Sequence, residues 1–152
     1  MTNQLVGVWR LITVEDHQAD GSVLHPYGEK ALGFLIYHPD GYMSATVMAS
    51  QRPPLATRAR PFELSPDDAA SVLSTMGSAY SGTYELRDAS TVIHHVEAAL
   101  IPNMIGDDEV RPFELIGDRL YVYTLRPPTR TCAIWQRAEP TGAASVHVGT
   151  QL

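Results

Sequence analysis

Two adjacent histidines, His94-His95, precede Val96-Glu97 in one β-forming run, and Arg111 stands in the next. An imidazole titrates near neutrality, and apolar surroundings hold it neutral and basic, so an inward His94 suits general acid–base work. A guanidinium suits clamping a carboxylate or stabilising a developing oxyanion. A buried, unpaired guanidinium is costly, so an inward Arg111 needs an anion: a ligand group, or a protein carboxylate such as Glu97 or Glu114. The alternative for His94 is a histidine hydrogen-bonded to a core neighbour. Tyr37 and Tyr84 add two phenols, as wall residues or as acids. His95 and Glu97 share a strand face, as a coupled pair or as decoration of the solvent side.

Other chemistries find no support. His17, His25 and His38 lie in or beside loops without metal-ligand spacing, so no metal is predicted. Cys132 is the single cysteine, which allows no internal disulfide and reads as a small buried residue. The glycines sit at turns rather than in a phosphate-binding loop, and no cofactor is implied. Tyr80-Ser81-Gly82 runs from strand to strand, which is not the strand-to-helix turn that exposes a nucleophilic serine.

The elements that position these groups are mostly strands. β-Forming runs cover residues 8–16, 31–38, 42–49, 79–87, 91–100, 110–116, 119–125 and 131–138, with a short one near 22–25. One helix is predicted near 66–76, capped by Ser65 and opened by Pro66-Asp67-Asp68, to cover an end. Its apolar face is Ala69, Val72, Leu73 and Met76. About eight strands at hairpin spacing predict a small antiparallel barrel over residues 1–138, a single domain, with 139–152 as a disordered tail.

Turns fix which side chains share a face. A Gly117-Asp118 turn sets Leu115 opposite Leu120 and Phe113 opposite Val122, which makes that apolar face the lumen and places Arg111 on it. The Pro39-Asp40-Gly41 turn sets Tyr37 opposite Met43, so Leu35, Tyr37, Met43, Ala45 and Val47 line the lumen. On the same logic Gly82, Tyr84 and Leu86 face inward, as do Val92, His94, Val96, Ala98 and Leu100. Tyr121 and Tyr123 face out as an aromatic patch that a homodimer would cover. A slip of one residue exchanges His94 for His95 and Glu97.

Charge and composition narrow the partners. The net charge is −6, and the basic residues are scattered without a run, which argues against nucleic acid and anionic membranes. The N-terminus lacks a basic stretch followed by an apolar core, and no run is long enough to span a bilayer. Together with the lone thiol, this predicts a cytoplasmic protein.

Gly7-Val8-Trp9 at the start of the first strand, with Arg137 at the end of the last, resembles the lipocalin signature. Further short motifs, in order, are Pro26-Tyr27-Gly28, Gly33-Phe34-Leu35-Ile36-Tyr37, Tyr80-Ser81-Gly82-Thr83-Tyr84 and Leu115-Ile116-Gly117-Asp118-Arg119-Leu120. Over residues 5–138 the chain resembles the bacterial lipocalin-like domain family of the calycin superfamily. The resemblance implies a barrel with an internal cavity, in which the indole plugs one end and the arginine lies across it. Related barrels serve as carriers or as cofactor-free cyclases and isomerases, and the resemblance supplies no catalytic residue. Met104 and Ile105 depart from it, standing where the family often has an aromatic.

The leading expectation is an enzyme acting on a small, mostly apolar molecule without a cofactor. His94 would move a proton while Arg111 and Tyr84 stabilise charge during an isomerisation, cyclisation or lyase step. Tyr37, Met43, Phe113, Val122, Trp135 and Leu35 would line the ligand site. The rival expectation is a carrier or sensor that releases its ligand unchanged, and a third is a structural partner protein.

Overall fold

Apolar–polar alternation carries most of this chain into extended structure, and eight of its strands close on themselves. The computed structural model describes residues 2–143. Its strands are β1 (Gly7–His17), β2 (Val23–Leu24), β3 (Leu32–Tyr37), β4 (Tyr42–Met48), β5 (Met76–Asp88), β6 (Thr91–Ala99), β7 (Asp108–Ile116), β8 (Arg119–Arg126) and β9 (Thr129–Arg137). Sequential neighbours pair antiparallel from β3 to β9, β1 pairs with β3, and β9 pairs back onto β1. The two-residue β2 adds only to the end of β1, at Asp16 and His17. The architecture is a closed eight-stranded antiparallel barrel.

The two hairpins set the predicted registers. Across Gly117-Asp118, Leu115 opposes Leu120 and Phe113 opposes Val122. Across Pro39-Asp40-Gly41, Tyr37 opposes Met43, and the His38 N–H donates to the Tyr42 carbonyl at 2.8 Å. Gly41 and Gly117 both adopt positive φ, which is why glycine stands at each turn.

Elsewhere bulges change the parity of the strands. Between β1 and β9 the register shifts between Leu11 and Thr13, so Trp9 and Leu11 face inward before it, and Val14 and Asp16 after it. Between β5 and β6, Ser81 opposes Ala98 but Gly82 opposes Val96, which leaves Glu97 as the extra residue. A Cβ on Gly82 would collide with the His95 carbonyl oxygen, so glycine is required at this pinch. Beyond the bulge the faces exchange. Ala99 opposes Tyr80, while Ala98 and Leu100, expected to continue the inward row, are exposed.

One end of the barrel is plugged by its own side chains. Trp9 is fully buried, and its Nε1 donates to the Leu5 carbonyl at 2.9 Å. The Arg137 guanidinium lies 4.1 Å from the indole and donates to the Val6 and Gln4 carbonyls at 3.0 and 2.7 Å. The N-terminal strap, the last strand and the plug are thereby one unit.

The helix, α1 (Pro66–Ser74), is capped as predicted, with Ser65 Oγ accepting from the Asp68 N–H at 3.2 Å. It buries none of its residues, and none of them lines the lumen. Met76, counted as the fourth apolar position of its face, instead starts β5, and Leu73 stays exposed. Tyr121 and Tyr123 are half-buried rather than a free aromatic patch, with Arg130 over the Tyr123 ring at 4.9 Å. Exposed apolar side chains are spread over several elements, and Val8, Leu32, Phe34 and Ile36 are those on the outer face of β1 and β3. Residues 139–143 carry no helix or strand, and the remainder of the expected tail, from 144 to 152, lies outside the described residues.

Trp9→Ala removes the plug from a fully buried site. The expected loss is about 3–5 kcal/mol of unfolding free energy, read from the urea midpoint by far-UV circular dichroism.

Candidate functional site

At the end opposite Trp9 the interior is not filled. A cavity of about 420 Å³ remains, within the ~300–1,000 Å³ of typical small-molecule sites. Its apolar wall comes from Leu35, Ala45, Val47, Val122, Ala133 and Trp135. Tyr80, His94, Glu109 and Arg111 form a polar cluster on β5, β6 and β7. Near the mouth, Asp16 Oδ1 accepts from Thr131 Oγ1 at 2.6 Å, with Arg126 also lining the cavity. Leu35, Val122, Trp135, His94 and Arg111 were all named from sequence, and all five face this cavity.

Tyr37, Met43, Phe113 and Tyr84 are buried but do not line it. Tyr84 sits toward the plugged end, where its hydroxyl donates to the His38 carbonyl at 3.0 Å and accepts from Asn3 Nδ2 at 3.1 Å. Its ring meets Tyr37 edge-on at 4.7 Å, so the two phenols form a floor under the cavity.

His94 is 1% exposed and is held at both ring nitrogens. Nε2 meets Tyr37 Oη at 2.7 Å, and Nδ1 meets Tyr80 Oη at 2.8 Å. Burial pushes its pKa down to about 3, with the charges of Arg111 and His95 adding to the effect. The imidazole is therefore neutral at physiological pH, with one N–H to donate and one lone pair to accept. Burial raises the Tyr37 and Tyr80 phenols, Tyr37 well above its ordinary value, while Arg111 works against the rise at Tyr80 as a charge and a donor.

Hydrogen-bond accounting then places the protons. Tyr37 is 1% exposed, and its hydroxyl has His94 as its partner among the described residues. If Nε2 carried the proton, the Tyr37 O–H would be buried without an acceptor, at a cost of about 1–3 kcal/mol. So Tyr37 donates to Nε2, and Nδ1–H donates to Tyr80. Tyr80, the half-buried member, keeps its own O–H for the cavity.

Arg111 finds its anion at Glu109, with Nη2 and Oε2 2.6 Å apart. The carboxylates weighed from sequence, Glu97 and Glu114, are both exposed. Glu109 was missed because β7 begins at Asp108 rather than Val110, which puts residues 109 and 111 on one face. Tyr80 was missed too, although it shares parity with Gly82 and Tyr84 on β5. His95 faces outward against Asp108 at 2.6 Å and Glu85 at 3.7 Å, and the Asp108 hydrogen bond raises its pKa. Cys132 is buried, and burial pushes its thiol up to about 11. Among the described residues no cluster of three or more His, Cys, Asp or Glu is placed to hold a metal ion, and no helix is long and apolar enough to cross a membrane.

The chain matches the lipocalin-like domain family over residues 6–147. Among solved structures it is similar to a lipocalin-like protein from Bacteroides uniformis ATCC 8492, at 15% identity and a TM-score of 0.46, covering 90% of this chain and 100% of that one. An uncharacterized protein from Bacteroides eggerthii DSM 20697 is similar at 13% identity and a TM-score of 0.46, covering 89% and 100%. A redesigned beta barrel follows at 12% identity and a TM-score of 0.43, covering 89% and 92%. No curated protein matches the chain.

A histidine whose pKa is lower folded than unfolded makes the unfolded chain the better proton acceptor between the two values. The contribution of His94 to stability is therefore complete above its unfolded pKa of about 6.5 and is lost as pH falls toward its folded value of about 3. The difference in unfolding free energy between wild type and His94→Gln should fall by up to about 1.4 kcal/mol per pH unit across this window. By NMR, the His94 ring should keep neutral shifts at pH 5, where His95 is already protonated.

Proposed function

The chain belongs to the lipocalin-like domain family, and from that premise we propose that its lumen binds a small, mostly apolar organic molecule through a single polar anchor. The supporting observation is the cavity of about 420 Å³, whose apolar wall faces the Tyr80, His94, Glu109 and Arg111 cluster, with Asp16, Thr131 and Arg126 nearer the mouth. Apolar walls supply affinity by excluding water, and the few polar groups orient the ligand. The entrance is framed by Tyr27 from the β2–β3 loop and by Ile101 and Met104 from the β6–β7 loop. Met104 is thus part of the rim where the family often has an aromatic. The working unit we propose is a cytoplasmic protein that uses no cofactor and does not bind nucleic acid, with a homodimer as its assembly.

A second reading, catalysis, is favoured by the unbroken Tyr37–His94–Tyr80 chain beside a guanidinium. In that reading Tyr80 O–H hydrogen-bonds a substrate oxygen and polarises it, His94 Nδ1–H orients that hydroxyl, and Tyr37 fixes the His94 tautomer, with no net proton leaving the three groups. Arg111 stabilises the charge that develops. His94 is too weak a base to take a proton from carbon unaided, so it positions the Tyr80 hydroxyl rather than initiating the reaction. The reactions that suit such an enclosed site are isomerisation and ring closure, for which the cavity also orients a flexible substrate. Tyr84, held by Asn3 and the His38 carbonyl, supports the floor in this scheme.

The neutral dye N-phenyl-1-naphthylamine should bind at one site per chain, with a blue shift and enhancement of its emission. Ala45→Phe, which fills the cavity from its wall, should weaken this at least tenfold while keeping the wild-type circular dichroism spectrum. Wild-type affinity in that variant would show that the dye, and the proposed ligand, sit elsewhere. Native mass spectrometry of the protein as isolated should show a bound small molecule. Recovery of that molecule chemically unchanged after prolonged incubation would decide for carriage over catalysis.

A further inference from the structure

Charges around the lumen balance. Among the described residues its lining holds two cations, Arg111 and Arg126, and two carboxylates, Asp16 and Glu109, while His94 is neutral. Arg111 and Glu109 are already paired at 2.6 Å, with side-chain exposures of 14% and 24%. A ligand carboxylate brought to Arg111 would meet Glu109 at close range, where solvent screens the repulsion poorly. The pair leaves no surplus positive charge to offset that repulsion or the desolvation of an incoming anion.

The polar functions left over are donors, and they include the Trp135 Nε1–H, which is buried without a hydrogen-bond partner among the described residues. Tyr37 and His94 satisfy one another, and the Tyr80 hydroxyl accepts from Nδ1–H with its proton left over on the cavity side. Burial keeps that phenol protonated. The guanidinium of Arg111 has five N–H groups, of which Glu109 takes a minority, so a further donor stands beside Tyr80. Donors without excess charge match an uncharged acceptor oxygen.

Building on the lumen-binding reading above, we propose that the site selects a neutral molecule bearing a carbonyl-type oxygen, received by the Tyr80 hydroxyl with Arg111 alongside, and that Glu109 excludes the corresponding carboxylates. Glu109 is then a specificity residue: it screens the guanidinium from anions while leaving its spare N–H groups to a neutral oxygen.

Three probes share one bicyclic body and separate the contributions. They are 2-ethylnaphthalene, 2-acetylnaphthalene and 2-naphthoate, compared by equilibrium dialysis at pH 7.5. The ketone should bind at least fivefold tighter than the hydrocarbon, and the carboxylate at least tenfold weaker than the ketone. Tyr80→Phe should weaken the ketone at least threefold relative to the hydrocarbon measured in the same variant. Glu109→Gln should strengthen 2-naphthoate at least tenfold, with the hydrocarbon serving as the control for an intact fold. If the hydrocarbon binds and the ketone gains nothing over it, or if 2-naphthoate binds tightest to wild type, the selectivity proposal is overturned and the lumen-binding reading stands. If none of the three binds, both fall.

Discussion

Closure of β9 onto β1 is the constraint from which the other properties follow. Once the sheet is a cylinder, every inward side chain is cut off laterally from water by a continuous hydrogen-bonded wall. Such a side chain has three options: pack against its neighbours, pair its polar atoms internally, or border whatever space is left. The Trp9 end takes the first option, with an indole sealed by its own arginine. The His94 cluster takes the second, and the 420 Å³ beyond it is the third.

The polar cluster shows how burial alone can set chemistry. An imidazole inside such a wall gives up its charge, and its two faces must then be matched by unlike partners, one donating and one accepting. The unequal burial of Tyr37 and Tyr80 breaks the symmetry between the two tautomers. A stranded hydroxyl proton costs about 1–3 kcal/mol, against a net folding stability of only ~5–15 kcal/mol, so the more deeply buried phenol decides. The direction of a chain of three neutral groups thus follows from which tyrosine lies nearer the plug. Nothing in the order of the residues along the chain encodes it.

Local rules made much of this fold readable from sequence. Gly117-Asp118 and Pro39-Asp40-Gly41 fix register through glycine at positive φ, and from them the inward placement of Leu115, Leu120, Tyr37 and Met43 follows by alternation. Trp9 and Arg137 come together because their strands are the two that close the barrel. Alternation fails where a strand takes in an extra residue. The Glu97 bulge turned Ala98 and Leu100 outward, and its only sequence trace is Gly82 on the facing strand. The Arg111 partner was hidden by a strand that starts two residues early at Asp108, amid acidic residues that read as loop. Tyr80 carried the right parity, yet its role depends on meeting His94 across strands, which spacing along one strand does not reveal.

The groups that shape the lumen are borne almost wholly by strands, with loop contributions from residues 26–27 and 101–104. The long irregular stretch after β4 and the short helix that follows are secured to each other by Arg52 through Thr75 and the Val72 carbonyl, are tied to the barrel by the Ser50 N–H on the Tyr27 carbonyl and by Arg52 on Met48, and supply nothing to the inner wall. Evolution therefore has latitude there. Between residues 53 and 64 the chain can drift in composition, lengthen or shorten and acquire new neighbours on the outside, while the preference written into the interior is inherited intact.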